Sequence, residues 1–381
     1  MFAKIDRESY GSGLQLFWMT ALVWLALCAP LSVWASLGGT PIPTDSNVSA
    51  FVTKVWRSFP LAAGGGSQVL TAPYALAMDS KGRLFVVDGA SREIYVVNKK
   101  GQVEAVIGNT TNSTVRIYNM GIPGDIALDS RDRLYVVDLR VRAVHILGSD
   151  FSYLGLIPVH EGFPTCVAVD STDRVIIGNY RAHLEDSGFL VYRMTPDPAN
   201  PAVLETWFQI CPPGENCTGR HGTPNDIAVD PYGRVVVVEG GVSWDLIIDR
   251  VVVFDKDFRW LFSMGSPGKD PGHFVNVCSV AVDPSGVFII ADATGRISFF
   301  LPDGTYAGRI GEEGSETGQF GVIGRLLVTG PGIVLVPEFE NGRIQEIAVD
   351  VRSLRPIRIP EPCLLFLAVV GSAYVLAAGR R

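Results

Sequence analysis

Short apolar runs, each closed by a turn former and a polar residue, recur along the middle of the chain. One five-residue phrase marks them: Ala75-Leu-Ala-Met-Asp79, Asp125-Ile-Ala-Leu-Asp129, Cys166-Val-Ala-Val-Asp170, Asp226-Ile-Ala-Val-Asp230 and Ser279-Val-Ala-Val-Asp283. Arg325-Leu-Leu-Val-Thr329 is a degenerate sixth copy, and successive copies lie 50, 41, 60, 53 and 46 residues apart. Three residues after each phrase stands a turn former: Gly82, Asp132, Asp173, Gly233, Gly286 and Gly332. Nine residues after it stands a polar residue: Asp88, Asp138, Asn179, Glu239, Asp292 and Glu338. The stretch between is β-branched or aromatic, as in Val235-Val-Val-Val238. Each unit therefore opens with two short strands around a tight turn.

A third strand is predicted at 94–97, 144–147, 189–192, 250–254, 297–300 and 344–347. A fourth follows in all units but the last, at 103–107, 153–157, 203–208, 260–263 and 306–310. Four antiparallel strands per repeat of this length form a propeller blade, whose faces are buried only when blades stack in a ring. The sixth copy runs out without its fourth strand, and an unassigned strand, Phe51–Trp56, precedes the first copy. The pattern predicts an all-β, six-bladed β-propeller over 49–351, closed by that N-terminal strand. Linkers are expected at 36–48 and 352–359, with a hydrophobic helical segment beyond each.

Composition agrees with many short strands. The chain has 41 glycines and 24 prolines in 381 residues, above the usual ~12% for the two together. A net charge of −7 speaks against a nucleic-acid partner, whose phosphates are met by basic patches.

The ends read as addresses. No charged residue occurs between Ser9 and Thr44, and an apolar run extends from Leu14 to Leu27 before Pro30. That run is too short for a ~30 Å hydrocarbon core. Val33 and Ala35 place small residues for cleavage before Ser36, so 1–35 is expected to be a secretory signal peptide, the alternative being an uncleaved anchor. At the other end, Pro360, Glu361 and Pro362 precede an apolar run from Cys363 to Gly379, closed by Arg380 and Arg381. That order resembles the PEP-CTERM sorting signal of Gram-negative bacteria. The resemblance implies export across the inner membrane, processing by an exosortase, and a cell-surface or membrane-anchored protein. A plain tail anchor is the alternative.

The repeats resemble the NHL family through Pro123-Gly-Asp-Ile-Ala-Leu-Asp129, Arg133-Leu-Tyr-Val-Val-Asp138 and Pro224-Asn-Asp-Ile-Ala-Val-Asp230. The family's basic residue before the third strand appears as Arg142, Arg250, Arg296 and Arg343. The resemblance implies a fold that serves binding modules, scaffolds and several enzymes. Related propellers include lactone hydrolases and peptide-amidating lyases with a metal in the axial channel. The lyase type wants inward histidines, and no axial phrase position is His. For the lactonase type the chain offers Asp125, Asp226 and Asn225.

Candidate chemistry gathers in two places. The first phrase positions (Ala75, Asp125, Cys166, Asp226, Ser279, Arg325) are expected nearest the axis. There Asp125 and Asp226 are candidate ligands for a divalent cation such as calcium, or face Arg325 through solvent. The polar residues from Asp88 to Glu338 have a structural reading: they accept loop N–H groups or pair with the arginine before strand three. Long insertions in blades 3 and 4 should raise a rim on the same face, bringing Tyr180, His183, His221, Trp244 and Asp245 as candidate binding residues. In that rim Cys211-Pro-Pro-Gly-Glu-Asn-Cys217 encloses a turn-rich loop, expected to be disulfide-closed after export. Cys166 and Cys278 are expected to stay free. No Gly-x-Ser-x-Gly, phosphate-loop or His-Glu-x-x-His motif occurs. The reading favoured is an exported, surface-associated binding or scaffold module for a protein or glycan ligand. Two alternatives stand beside it: a metal-dependent hydrolase or lyase at Asp125 and Asp226, and a matrix component accompanying exported polysaccharide.

Overall fold

A computed structural model describes residues 40–42, 44, 48–62, 66–181, 188–195, 201–210, 222–243 and 246–356. Both terminal segments lie outside these residues. With them lie Ala35 and Ser36, the sorting residues Pro360, Glu361, Pro362, Arg380 and Arg381, and the rim residues His183, Cys211, Cys217, His221, Trp244 and Asp245. The described residues form an all-β, six-bladed propeller. Blades 2 to 5 are four-stranded antiparallel sheets running in chain order from the axis outward, over Pro123–Pro158, Phe163–Gln209, Thr223–Met264 and Val277–Ile310.

Blade 1 begins with Pro73–Met78 and adds a fifth strand, Val115–Arg116, parallel to Val103–Gly108. Blade 6 is assembled from both ends of the chain. Its strands Leu327–Gly330, Ile333–Glu338 and Arg343–Val349 are followed by Ala50–Trp56, paired antiparallel so that Val52 faces Ile347. The N-terminal strand thus closes the ring as the pattern predicts. Part of the expected linker is structured too: Thr40–Pro41 pairs with Ala50–Trp56, and Ile42 and Val48 are buried between blades 5 and 6. On the C-terminal side Leu354 joins the same cluster.

The strands read as continuous apolar runs because both faces of a blade are covered. Val235 and Val237 pack toward blade 3, while Val236 and Val238 pack toward blade 5. Six hydrophobic clusters result, one between each pair of neighbouring blades. The turn former of every unit has positive φ, from 57° at Asp132 to 86° at Gly286. That backbone suits Gly, Asp and Asn and, in blades 1 to 5, closes a three-residue hairpin loop. In blades 1 to 4 the phrase's last Asp holds the turn. Asp79, for example, accepts Arg83 N at 2.7 Å and Arg83 Nε at 2.6 Å, and Asp129, Asp170 and Asp230 act alike on Arg133, Arg174 and Arg234.

The insertion of blade 4 is built into the blade itself. Strands Val235–Ser243 and Leu246–Phe254 stay paired to their tips, from Val235 against Phe254 to Ser243 against Leu246. Once a hairpin ladder is running, each further residue pair adds cross-strand bonds. Here the chain extends the blade as a protruding hairpin.

Candidate functional site

Each inner strand of blades 1 to 5 carries a register shift just before the phrase, between Pro73 and Ala75, Pro123 and Asp125, Pro164 and Cys166, Pro224 and Asp226, and Val277 and Ser279. The extra residue re-aims the one after it. The six phrase-start residues are all buried, and most of the polar ones reach forward to the next blade. Asp125 Oδ2 accepts Val167 N of blade 3 at 2.8 Å, and its Oδ1 accepts Ile126 N. Asp226 Oδ2 accepts Val280 N at 2.9 Å and Ser279 Oγ at 2.7 Å, both in blade 5, and its Oδ1 accepts Ile227 N. Ser279 Oγ in turn accepts Leu326 N of blade 6 at 2.9 Å. Cys166 Sγ donates to Pro224 O at 3.4 Å, and Asn225 Nδ2 donates to Val277 O at 2.8 Å.

Arg325 crosses the axis. Its Nη1 donates to Cys278 O at 2.6 Å and its Nη2 to Thr165 O at 3.4 Å, while the guanidinium carbon lies 5.4 Å from the Tyr74 ring centroid. Arg325 Nε stands 3.9 Å from Asp226 Oδ1 and has no hydrogen-bond partner among the described residues. Burial pushes the Asp125 carboxyl up to about 7, with Arg325 opposing and Asp226 reinforcing the shift. Burial also raises Asp226, against Arg325 and the Ser279 hydrogen bond. The Cys278 thiol is pushed up to about 12 and Cys166 higher still, again by burial, and both cysteines are free.

This donor set does not suit calcium, which takes about 6–8 oxygen ligands. Both carboxylates already accept backbone N–H groups, and the charge between them is a guanidinium. Among the described residues no three His, Cys, Asp or Glu side chains gather as a metal site.

The outer polar ring is a set of loop clamps in five blades. Asp88 accepts Thr71 N and Ala72 N, Asp138 accepts Gly121 N and Ile122 N, Glu239 accepts Gly222 N, Asp292 accepts Val275 N, and Glu338 accepts Gly321 N. Arg250, Arg296 and Arg343 pair with the acid of their own blade as the repeat suggests. Arg142 does not. Its guanidinium lies 3.9 Å from the Phe163 ring centroid, and His145 Nε2 meets Asp138 Oδ2 at 3.1 Å instead. Arg142 has φ of 55°, a turn conformation from which its side chain leaves the blade's own acid.

Blade 3 is the exception. Asn179 takes the acid's place, its Nδ2 donates to Glu161 O at 2.8 Å, and its buried Oδ1 has no partner among the described residues. It lines a rim cavity of about 200 Å³ with Arg181, Glu161, His160, Tyr192, Leu204 and Trp207. Tyr180 ends the adjacent strand Arg174–Tyr180, partly buried and outside that lining. The repeat singled out Asn179 but not Trp207, Leu204 or Glu161. Their signal in the sequence is faint: a tryptophan in the predicted fourth strand at 203–208, and an acid, Glu161, immediately before Gly162.

No protein-family model matches the chain, and no curated protein does. Solved structures do match. A hydrazine synthase structure of Kuenenia stuttgartiensis is 13% identical, with 80% of this chain and 90% of that one covered and a TM-score of 0.56. A gluconolactonase of Xanthomonas campestris is 15% identical, with 82% and 98% covered and a TM-score of 0.52. Virginiamycin B lyase of Staphylococcus aureus is 8% identical, with 77% and 99% covered and a TM-score of 0.51. At such identities the likeness is one of architecture. The chain is a six-bladed β-propeller with hydrolase- and lyase-type structural neighbours.

Proposed function

We propose that this chain is an exported, surface-associated NHL-type propeller acting as a binding or scaffold module, with its ligand taken at the rim of blade 3. One observation carries the reading: the polar groups at the axis bond blade to blade, whereas the rim cavity holds a buried acceptor with no partner among the described residues. The terminal segments supply the address, with Ser36 as the mature start, Cys211–Cys217 stapled after export, and the segment after Pro360-Glu-Pro362 read by exosortase-type machinery. Protease treatment of intact cells, with mass spectrometry of the mature ends, tests the location. Loss of the protein from intact cells and a chain beginning at Ser36 are expected; full protection and an unprocessed start would refute export.

A second reading is favoured by a different observation. Asp125, pushed up to about 7, has the proton affinity of a general acid or base at neutral pH, which suits a hydrolase or lyase. Metal analysis and lactone hydrolysis with the wild type and Asp125→Ala separate the two. The binding reading expects no stoichiometric cation and no turnover; a cation or turnover that Asp125→Ala abolishes would favour the enzyme.

A further inference from the structure

Two kinds of surface meet in the rim cavity of blade 3. Trp207, Leu204 and Tyr192 supply an apolar wall, and Gly188 keeps it close, since a Cβ there would lie 2.6 Å from Trp207 Cζ3. Phe189 and Leu190 extend that wall, and the polar side is made by His160, Glu161, Asn179 and Arg181. Asn179 is 5% exposed, and its Nδ2 donates to Glu161 O, which fixes the other end of the amide as the oxygen. Among the described residues that buried oxygen has no hydrogen-bond partner. An unpartnered buried acceptor calls for an O–H or N–H donor. Arg181 and Glu161 form an ion pair, and the Arg181 guanidinium carbon lies 6.0 Å from the Trp207 ring centroid. The polar wall therefore offers charge already neutralised, which favours an uncharged ligand.

An apolar platform, a neutral polar edge and a waiting acceptor together match a molecule with an apolar face and a hydroxylated edge. We infer that the cavity takes one neutral pyranose ring of a glycan, its C–H face against Trp207 and a hydroxyl donating to Asn179 Oδ1. A volume of about 200 Å³ is below the ~300–1,000 Å³ of sites for drug-sized ligands and suits a single ring. The inference rests on the rim-binding reading and names the ligand class for it.

The test is a titration of the full-length protein in detergent micelles, read by tryptophan fluorescence and calorimetric heat. The probes are neutral methyl glycosides and their oligosaccharides, glucuronate, and a mixture of short peptides. Saturable binding of a neutral sugar is expected, weakened about tenfold or more by Trp207→Ala and by Asn179→Leu, with Trp207→Phe retaining most of it. Trp207→Ala alters an exposed position, so its unfolding midpoint should match the wild type and separate a lost contact from a lost fold. Binding of peptides alone, or of glucuronate alone, overturns the sugar inference and leaves rim binding standing. Sugar binding untouched by both substitutions overturns the site, and no binding of any probe overturns both.

Discussion

Arg325 donates to carbonyl oxygens of blades 3 and 5 and lies against Tyr74 of blade 1. Replacing it with methionine keeps length but leaves Asp125 and Asp226 buried without their cation. Removing one partner from a buried charged group costs about 3–5 kcal/mol, and urea unfolding of Arg325→Met should show a loss of that order. The same group makes stability depend on pH. Folded Asp125 keeps its proton up to about 7, whereas an unfolded carboxyl loses it near ~3.9. The proton-bound form therefore contributes stability that is complete below the lower value and is lost as pH rises through the higher one. Unfolding midpoints should fall across that window, and Asp125→Asn should flatten the slope. Asp125, Asp226 and Arg325 were legible as inner positions because the phrase fixes their place in each blade. Their partners were not. The bulge breaks the strand's alternation, and the bonds join residues 42 to 160 positions apart, beyond any local pattern.

The first two strands of each blade could be read because a turn former with positive φ stands at a constant offset between them, and the apolar runs that follow mark the outer strands. The shortest strands, Thr40–Pro41 and Val115–Arg116, could not, and neither could two hairpins. The hairpin Ser58–Pro60 with Ser67–Val69 holds a proline and only three residues per strand, too few for alternation to register. The other is the protruding hairpin of blade 4: its length marks a rim insertion, but Gly240 and Gly241 pair within the ladder. The closing strand Ala50–Trp56 is the element on which the ring depends. Val52 is 4% exposed between blades 5 and 6, and Val52→Asp would place an unpaired charge there. A loss of about 3–5 kcal/mol is expected, large enough to lower the thermal midpoint by many degrees in a calorimetric scan. Wild-type stability in this variant would mean that the strand does not close the sheet.

Across the whole molecule, six interblade clusters share the burial, so no single core dominates. Opening any interface exposes part of two blades, and the disc should unfold as a unit. Cys166 and Cys278 report on this directly. Both are free, Cys166 is buried, and burial raises both thiols far above neutral pH. Peptide mapping after alkylation near pH 8 should find both unmodified in the native protein and labelled only above the unfolding midpoint. Labelling of either under native conditions would show that a blade opens on its own.

The pairing of Val52 with Ile347 sets an order of events during synthesis. The strand made first must wait, its edge uncovered, until almost all the remaining chain has left the ribosome. Antiparallel contacts across so long a separation form slowly, and an open β edge invites pairing with other nascent chains. A holding chaperone should therefore engage the newborn N-terminal strand and let go once the final blade is complete.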